Sequence, residues 1–186
     1  MLKSRANAGF TLIELMISLV ILAILLSLGM PAFTGILESS RTKAAASGFA
    51  MGLQQARADA ISRNTTVWFI PEPGFAGWVL NTANSLTTPA PFEAKPSNES
   101  SGDRVTVVID PATVTRVNFN SLGRATGRAD DGTLVNAGAP VSFNFSGPSG
   151  CGAEIRCLRV QVSEGGQIRV CDPAVANTAD TRSCGT

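Results

Sequence analysis

The sequence contains no histidine and no tyrosine, and only 16% of its 186 residues are charged. The absence of histidine excludes catalytic triads that use an imidazole base and metal centres that use an imidazole ligand. The 15 basic and 14 acidic residues nearly cancel, so no bulk charge attracts nucleic acid. No nucleophile–base pair and no cluster of metal ligands is present. We therefore expect a protein that is not an enzyme and that holds no metal or cofactor.

Cysteine is absent from the first 150 residues and then occurs at positions 151, 157, 171 and 184. Four cysteines in one short region fit disulfide bonds in an oxidising compartment better than thiols in the cytosol. No two of them have the Cys-x-x-Cys spacing, which disfavours a zinc site. Four cysteines allow three pairings, and their spacing does not choose among these.

One long apolar run lies close to the start of the chain. From Phe10 to Met30 every residue is apolar or small, except Thr11, Glu14 and two serines. As a helix this run is about 30 Å long, enough to cross a bilayer. The nine residues before it carry Lys3 and Arg5 and no acid, a combination typical of export or membrane anchoring. Glu14 is costly in this setting unless a positive charge pairs with it.

The start of this run, Gly9-Phe10-Thr11-Leu12-Ile13-Glu14-Leu15-Met16, resembles the class III signal of type IV pilins and type II secretion pseudopilins. The resemblance implies that residues 1–9 are a leader peptide, which a prepilin peptidase cuts off between Gly9 and Phe10. The peptidase then N-methylates Phe10. Glu14 is the assembly residue, whose carboxylate pairs with the N-terminal ammonium of a neighbouring subunit. Without the leader, which contains Lys3 and Arg5, the side chains sum to −1 (13 basic and 14 acidic).

Pro31 divides the predicted helix into two halves. Proline removes a backbone donor, so we expect a helix kink or local melting near residues 28–35. The first half, residues 10–34, is the predicted transmembrane and assembly half. The second half, residues 35–64, is predicted to be amphipathic.

The amphipathic half has one apolar face. Ala46, Phe49, Leu53, Ala56 and Ala60 follow spacings of three and four, which predicts a helix that packs this face on a folded domain. The segment 54–64 resembles the end of the long helix in the GspH/FimT (FimU-like) branch of minor pilins and pseudopilins. The fold class is therefore expected to be α+β: a pilin fold in which a long N-terminal helix packs on an antiparallel β-sheet domain.

The rest of the chain, residues 65–186, is expected to form one β-rich domain outside the cytoplasm. Alternating or β-branched segments predict strands at residues 65–70, 77–80, 104–110, 113–120 and 141–145, followed by a final hairpin. Residues 81–102 and 121–138 are predicted to be mostly loop. Trp68 and Trp78 are expected in the core or on a sheet face.

The final hairpin carries the one candidate binding feature of the domain. A three-residue loop at 163–165 places Gly165 in a left-handed position and pairs Val160 with Ile168. This register sets Arg159 opposite Arg169 on the outer face, where two like charges indicate either an anionic partner or two solvated side chains. Some members of the GspH/FimT branch bind DNA through a glycine-arginine-x-arginine motif here. The matching stretch is Gly166-Gln167-Ile168-Arg169, with Gln167 in place of the first arginine.

The resemblance also implies a disulfide pairing. The run from Cys171 to Cys184 is similar to the tail of pilin-tip subunits, in which a disulfide closes a polar terminal loop. This favours Cys171–Cys184 together with Cys151–Cys157. The predicted hairpin register also sets Cys157 opposite Cys171, so that pair, with Cys151–Cys184, is the alternative.

The resemblance implies a minor pilin or pseudopilin that helps to initiate or cap a type IV pilus. Its expected partners are prepilin peptidase, the inner membrane before assembly, and other major and minor pilins. The expected location is the bacterial inner membrane, as a single-pass protein with a cytoplasmic N-terminus, and then the periplasm or the cell-surface pilus. The alternatives are a GspH-like minor pseudopilin of a type II secretion system and a DNA-binding minor pilin for natural transformation.

Overall fold

The structure is a computed structural model. It describes residues 10–82, 91–100, 104–135, 139–152 and 155–185, without the side chains of residues 28–33, 99 and 100. One helix, α1, spans Leu12–Ser62 and ends within two residues of the predicted bounds on both sides. Two antiparallel sheets follow it, so the fold is α+β as predicted.

The strands of the described chain form a five-stranded and a four-stranded sheet, with the orders β3-β2-β1-β5-β6 and β4-β7-β8-β9. Their bounds are β1 Val67–Pro71, β2 Trp78–Thr82, β3 Glu93–Lys95, β4 Thr106–Asp110, β5 Arg116–Phe119, β6 Ala125–Arg128, β7 Val141–Ser146, β8 Leu158–Val162 and β9 Ile168–Cys171. A short 3-10 helix spans Ser97–Ser100.

The second half of α1 packs against both sheets through the predicted apolar face. All five residues of that face, from Ala46 to Ala60, are fully buried. The ring of Phe49 lies at the centre, 4.8 Å from the ring of Phe69 on β1 and 4.8 Å from the ring of Phe143 on β7. The prediction of this helix face is therefore confirmed. One phenylalanine joins the helix to both sheets.

Two of the predicted loops contain regular structure. Residues 125–128 of the predicted loop 121–138 form β6, which pairs with β5 along its whole length. The predicted loop 81–102 contains β3 and the 3-10 helix, although its residues 83–90 and 101–102 lie outside the described residues. Both predictions were wrong at these strands because glycine and polar residues lower strand propensity, whereas pairing with an existing sheet edge supplies the missing stabilisation.

The helical backbone continues through Pro31, because α1 is one uninterrupted element from Leu12 to Ser62. The expected local melting near residues 28–35 is therefore absent from this state of the chain. A bend at Pro31 stays a prediction.

Two glycines on α1 lie under the five-stranded sheet and give a test of this packing. A Cβ at Gly52 would overlap the buried indole of Trp78, whereas a Cβ at Gly48 would meet only the flexible end of Lys95. We expect Gly52→Ala to destabilise the fold by about 1–3 kcal/mol, as overpacking does. Gly48→Ala should be neutral or stabilising by up to about 1 kcal/mol, since alanine favours a helix interior. Thermal unfolding of the two variants measures the difference, and equal effects would contradict this packing.

Candidate functional site

The residues that the sequence predicts to act in assembly lie at the start of α1. Phe10 precedes the helix and is 83% exposed. Thr11 is the N-cap, and its hydroxyl oxygen accepts a hydrogen bond of 3.3 Å from the backbone N–H of Glu14. Glu14 therefore lies in the first turn, where the helix dipole favours a negative charge. The Thr-x-x-Glu spacing is a capping signal that could have located this helix start from sequence. Gly9 and the predicted cleavage site lie outside the described residues.

The apolar side chains that follow are not covered by any described residue of the chain. The large apolar side chains of residues 12–26 are between 51% and 78% exposed. Ser18 and Ser27 donate hydrogen bonds of 2.8 Å to the backbone carbonyls of Glu14 and Ile24, so their hydroxyls do not need water. Glu14 is the one ionisable residue between Phe10 and Leu37 in the sequence. An apolar surface of this extent marks a site of contact with lipid or with another protein.

No helix within the described residues is both long enough and apolar enough to cross a membrane.

The final hairpin has a different register from the predicted one. Val160 pairs with Val170, and Val162 pairs with Ile168, a shift of two residues. The loop is five residues long, closed by a 3.0 Å hydrogen bond from Ser163 N to Gln167 O. Gly166, not Gly165, takes the left-handed conformation, with φ of 75°. The three-residue loop was wrong because a shift of two leaves every side chain on the same face, so alternation cannot detect it.

This shift separates the two arginines that were expected to face each other. Arg159 lies opposite Cys171, and its Nε donates a 2.7 Å hydrogen bond to Asn144 Oδ1 on β7. Arg169 lies opposite Gln161, and its Nη2 donates to the carbonyl oxygens of the C-terminal loop. The opposition on which the expected anion or DNA contact rested is therefore not formed, and the contact itself stays a prediction. Both guanidiniums bind groups of their own chain.

The C-terminal loop is fastened to the edge strand β9. A disulfide joins Cys171 to Cys184, and Asp172 N donates a 2.7 Å hydrogen bond to Arg182 O. Arg169 adds hydrogen bonds of 3.1 Å to Thr181 O and 2.7 Å to Ser183 O. The second disulfide joins Cys151 to Cys157. This pairing is the one that the resemblance favours, and Cys157 does not face Cys171.

The loop of the second disulfide contacts α1 next to the apolar half. Ser149 Oγ donates a 3.1 Å hydrogen bond to Glu38 Oε1. The backbone N–H of Arg156 lies 3.4 Å from Ser39 Oγ, which accepts its hydrogen bond. The two disulfide loops therefore serve different elements: one closes the end of the chain on β9, and the other lies against the helix.

Asp180 and Arg182 form an ion pair of 2.7 Å within the C-terminal loop. Hydrogen bonds from the side chain and the backbone of Arg182 lower the pKa of Asp180 from 3.8 to about 2. A carboxylate with a lowered pKa stabilises the fold above its unfolded pKa, and this contribution is lost as the pH falls from about 4 through about 2. We expect the carboxyl 13C resonance of Asp180 to titrate near pH 2. In Arg182→Gln it should titrate at a higher pH but still below its ordinary value, because the backbone hydrogen bond from residue 182 remains. An unchanged midpoint in this variant would contradict the assignment.

Two family models match the sequence. The prokaryotic N-terminal methylation motif matches residues 4–30, and the model for type II transport protein GspH matches residues 45–182. The second match covers most of the chain. The chain belongs to the GspH family. Proteins of this pilin-like family are structural and not enzymatic. Membership implies processing by prepilin peptidase, assembly with other pilins, and anchoring in the inner membrane before assembly.

Solved structures share the fold of this GspH-family chain. The minor pilin FimU of the type IV system of Pseudomonas aeruginosa matches in two crystal forms. The first has 19% identity and a TM-score of 0.50, and covers 69% of this chain and 90% of FimU. The second has 18% identity and a TM-score of 0.52, and covers 73% and 91%. The minor pseudopilin EpsH of the Vibrio cholerae type 2 secretion system has 13% identity and a TM-score of 0.49, and covers 72% and 98%. Comparison with curated proteins gives no significant match.

Proposed function

We propose that this chain is a minor pilin that helps to initiate or cap a type IV pilus. Prepilin peptidase cuts after Gly9 and N-methylates Phe10. The apolar half of α1 then holds the chain in the inner membrane as a single-pass protein, with its N-terminus on the cytoplasmic side. During assembly the carboxylate of Glu14 pairs with the N-terminal ammonium of a neighbouring subunit, and the domain moves to the periplasm or the cell surface.

The observation that carries this proposal is the uncovered apolar helix with a single carboxylate in its first turn. The fold leaves these side chains exposed, so another molecule has to cover them. In a lipid or helix-bundle environment a lone carboxylate needs a cation, and an N-terminal ammonium is the cation that each pilin subunit brings. The domain match to FimU supports the same architecture.

The test compares Glu14→Gln with Asp110→Asn, a matched acid-to-amide change at an exposed position of β4. Both variants should accumulate in the membrane at the level of the wild-type chain. Glu14→Gln should enter filaments at least about tenfold less often, because the neighbouring ammonium loses its counter-charge in lipid. Quantitative immunoblotting of sheared filaments measures incorporation. Normal incorporation of Glu14→Gln, or a mature chain that does not begin at Phe10 by mass spectrometry, would overturn the proposal.

A second candidate is a minor pseudopilin of a type II secretion system. The match of residues 45–182 to the type II transport protein GspH favours it. Deletion of the chain separates the two candidates when surface pili, twitching, DNA uptake and protein secretion are measured in the same strain. Loss of secretion with normal pili would favour the pseudopilin. DNA capture for transformation lacks the opposed Arg159 and Arg169 on which its expectation rested.

A further inference from the structure

Two arginines do face each other in this domain, at a place that the sequence did not indicate. Arg116 on β5 pairs directly with Arg128 on β6, at the end of a hairpin in the five-stranded sheet. Both side chains are half-buried and lie on the outer face, on the same side as Trp68. Like charges directly opposite each other on neighbouring strands destabilise a sheet. The chain therefore retains an arrangement that needs an anion to become favourable.

Each guanidinium is held in place but incompletely bonded. The guanidinium of Arg116 lies over the indole ring of Trp68, 4.6 Å from its centroid. Arg128 Nη1 donates a 2.6 Å hydrogen bond to Gly132 O. The Nε atoms of both arginines are buried and have no acceptor. Buried donors without acceptors are unusual in folded proteins, so the hydrogen bonding of this pair is incomplete.

The described part of the chain does not supply an acceptor for the two buried Nε atoms. The ion pairs of the described residues are Arg63–Asp59 and Arg182–Asp180, so no described carboxylate lies within 4.0 Å of either opposed arginine. Asp131 interacts electrostatically with Arg116, but its Oδ1 accepts hydrogen bonds from Thr133 N at 2.8 Å and from Thr133 Oγ1 at 2.7 Å. Its carboxylate is therefore bound within its own turn.

We propose that Arg116 and Arg128 together bind a carboxylate side chain of a neighbouring pilin subunit. A carboxylate accepts paired hydrogen bonds from a guanidinium and fits between two such groups. The stack on Trp68 orients Arg116 before the partner arrives, which reduces the entropy lost on binding. The binding chemistry does not depend on the type of filament. Only the identity of the partner as a pilin rests on the proposed function.

A nucleic acid is the less favoured occupant. Asp130 and Asp131 follow β6 after Ala129, so an extended polyanion along this end of the hairpin would also approach two negative charges. Nucleic-acid surfaces carry several cations in a row, whereas this site presents two. A single carboxylate from a protein partner is matched in charge and size by the two guanidiniums.

The test uses the 15N-labelled mature chain in zwitterionic detergent micelles. The probes are a synthetic tetrapeptide, acetyl-Gly-Glu-Glu-Gly-amide, its Gln-Gln counterpart, inorganic phosphate and a short single-stranded oligonucleotide. The readouts are the Nε–H signals of Arg116 and Arg128 and the indole N–H signal of Trp68. We expect the Glu peptide to shift these signals in a saturable way and the Gln peptide to leave them unchanged.

Variants make the assignment specific. Arg116→Gln and Arg128→Gln should each lower the affinity for the Glu peptide by about tenfold, as loss of one member of a charge pair does. Arg124→Gln, an exposed arginine of the same hairpin, should not change it. Equal binding of the Glu and Gln peptides would overturn the proposal. So would tighter binding of phosphate or of the oligonucleotide than of the Glu peptide. Because the peptide is added to the isolated chain, this result is independent of whether Glu14→Gln enters filaments.

Discussion

Replacing Phe49 with alanine is expected to destabilise the folded domain by about 3–5 kcal/mol. The side chain is fully buried, and its ring lies within 4.8–5.3 Å of the rings of Phe69, Phe143 and Phe145. These neighbours come from both sheets, so the cavity left by alanine opens at the point where helix and sheets meet. Alanine has the higher helix propensity, but this gain is only a few tenths of a kcal/mol and does not offset the loss.

The control for this prediction is Met51→Ala, two positions further along α1. Met51 is 68% exposed, so its truncation should change the free energy of unfolding by less than about 0.5 kcal/mol. Denaturant unfolding of the mature chain in micelles, followed by tryptophan fluorescence, measures both variants. A loss below 1 kcal/mol for Phe49→Ala, or a similar loss for Met51→Ala, would mean that the helix does not dock on the sheets through Phe49.

The docking face of α1 could be predicted because one physical rule determines it. A helix repeats every 3.6 residues, so apolar residues at spacings of three and four must lie on one side. The five residues from Ala46 to Ala60 obey this rule and are all buried. The apolar start of the chain could also be interpreted from sequence, because an uninterrupted apolar run with one acid has few roles in a folded protein.

The register of the last hairpin could not be predicted because alternation has a period of two. Registers that differ by two residues bury the same side chains, so turn chemistry alone had to decide between Gly165 and Gly166. The structure decides through tertiary contacts. Ala125 N donates a 3.0 Å hydrogen bond to Glu164 O, and a Cβ at Gly166 would overlap the carbonyl oxygen of Gly123. The β5–β6 turn of one sheet and the β8–β9 turn of the other therefore contact each other, and this contact determines the register of the last hairpin.

The position of the opposed arginines could not be predicted either, because it also depends on which strands pair and in which register. Two like charges across a pair of strands were expected at Arg159 and Arg169, whereas they occur at Arg116 and Arg128. The strand that carries Arg128 was assigned to a loop because of its glycines. In the structure, Phe119 pairs with Ala125 across the turn formed by residues 120–124. This tight turn after β5 is the feature that could have identified β6.

Removing the Cys171–Cys184 disulfide by a double change to serine is expected to destabilise the domain by about 3 kcal/mol, the loop-entropy value for the 14 residues that it closes. The loop has little else to hold it. Of the described loop residues 172–183, only Asp172 and Ser183 are buried. Hydrogen bonds from Arg169 and Asp172 would then hold the end of the chain without a covalent link, and the edge of β9 would open more often.

The matched control is the double serine variant of Cys151 and Cys157. Its loop has seven residues, so the expected loss is about 2 kcal/mol. The two double serine variants should differ in the region that unfolds locally. Trypsin cleavage after Arg182, followed by mass spectrometry, should become faster without Cys171–Cys184 and stay unchanged without Cys151–Cys157. Loss of the second bridge should instead free the contacts of Ser149 and Arg156 with α1, because Arg156 lies within its loop and Ser149 lies two residues before it. If cleavage after Arg182 were equally fast in both variants, the C-terminal bridge would not be what fastens the loop to β9.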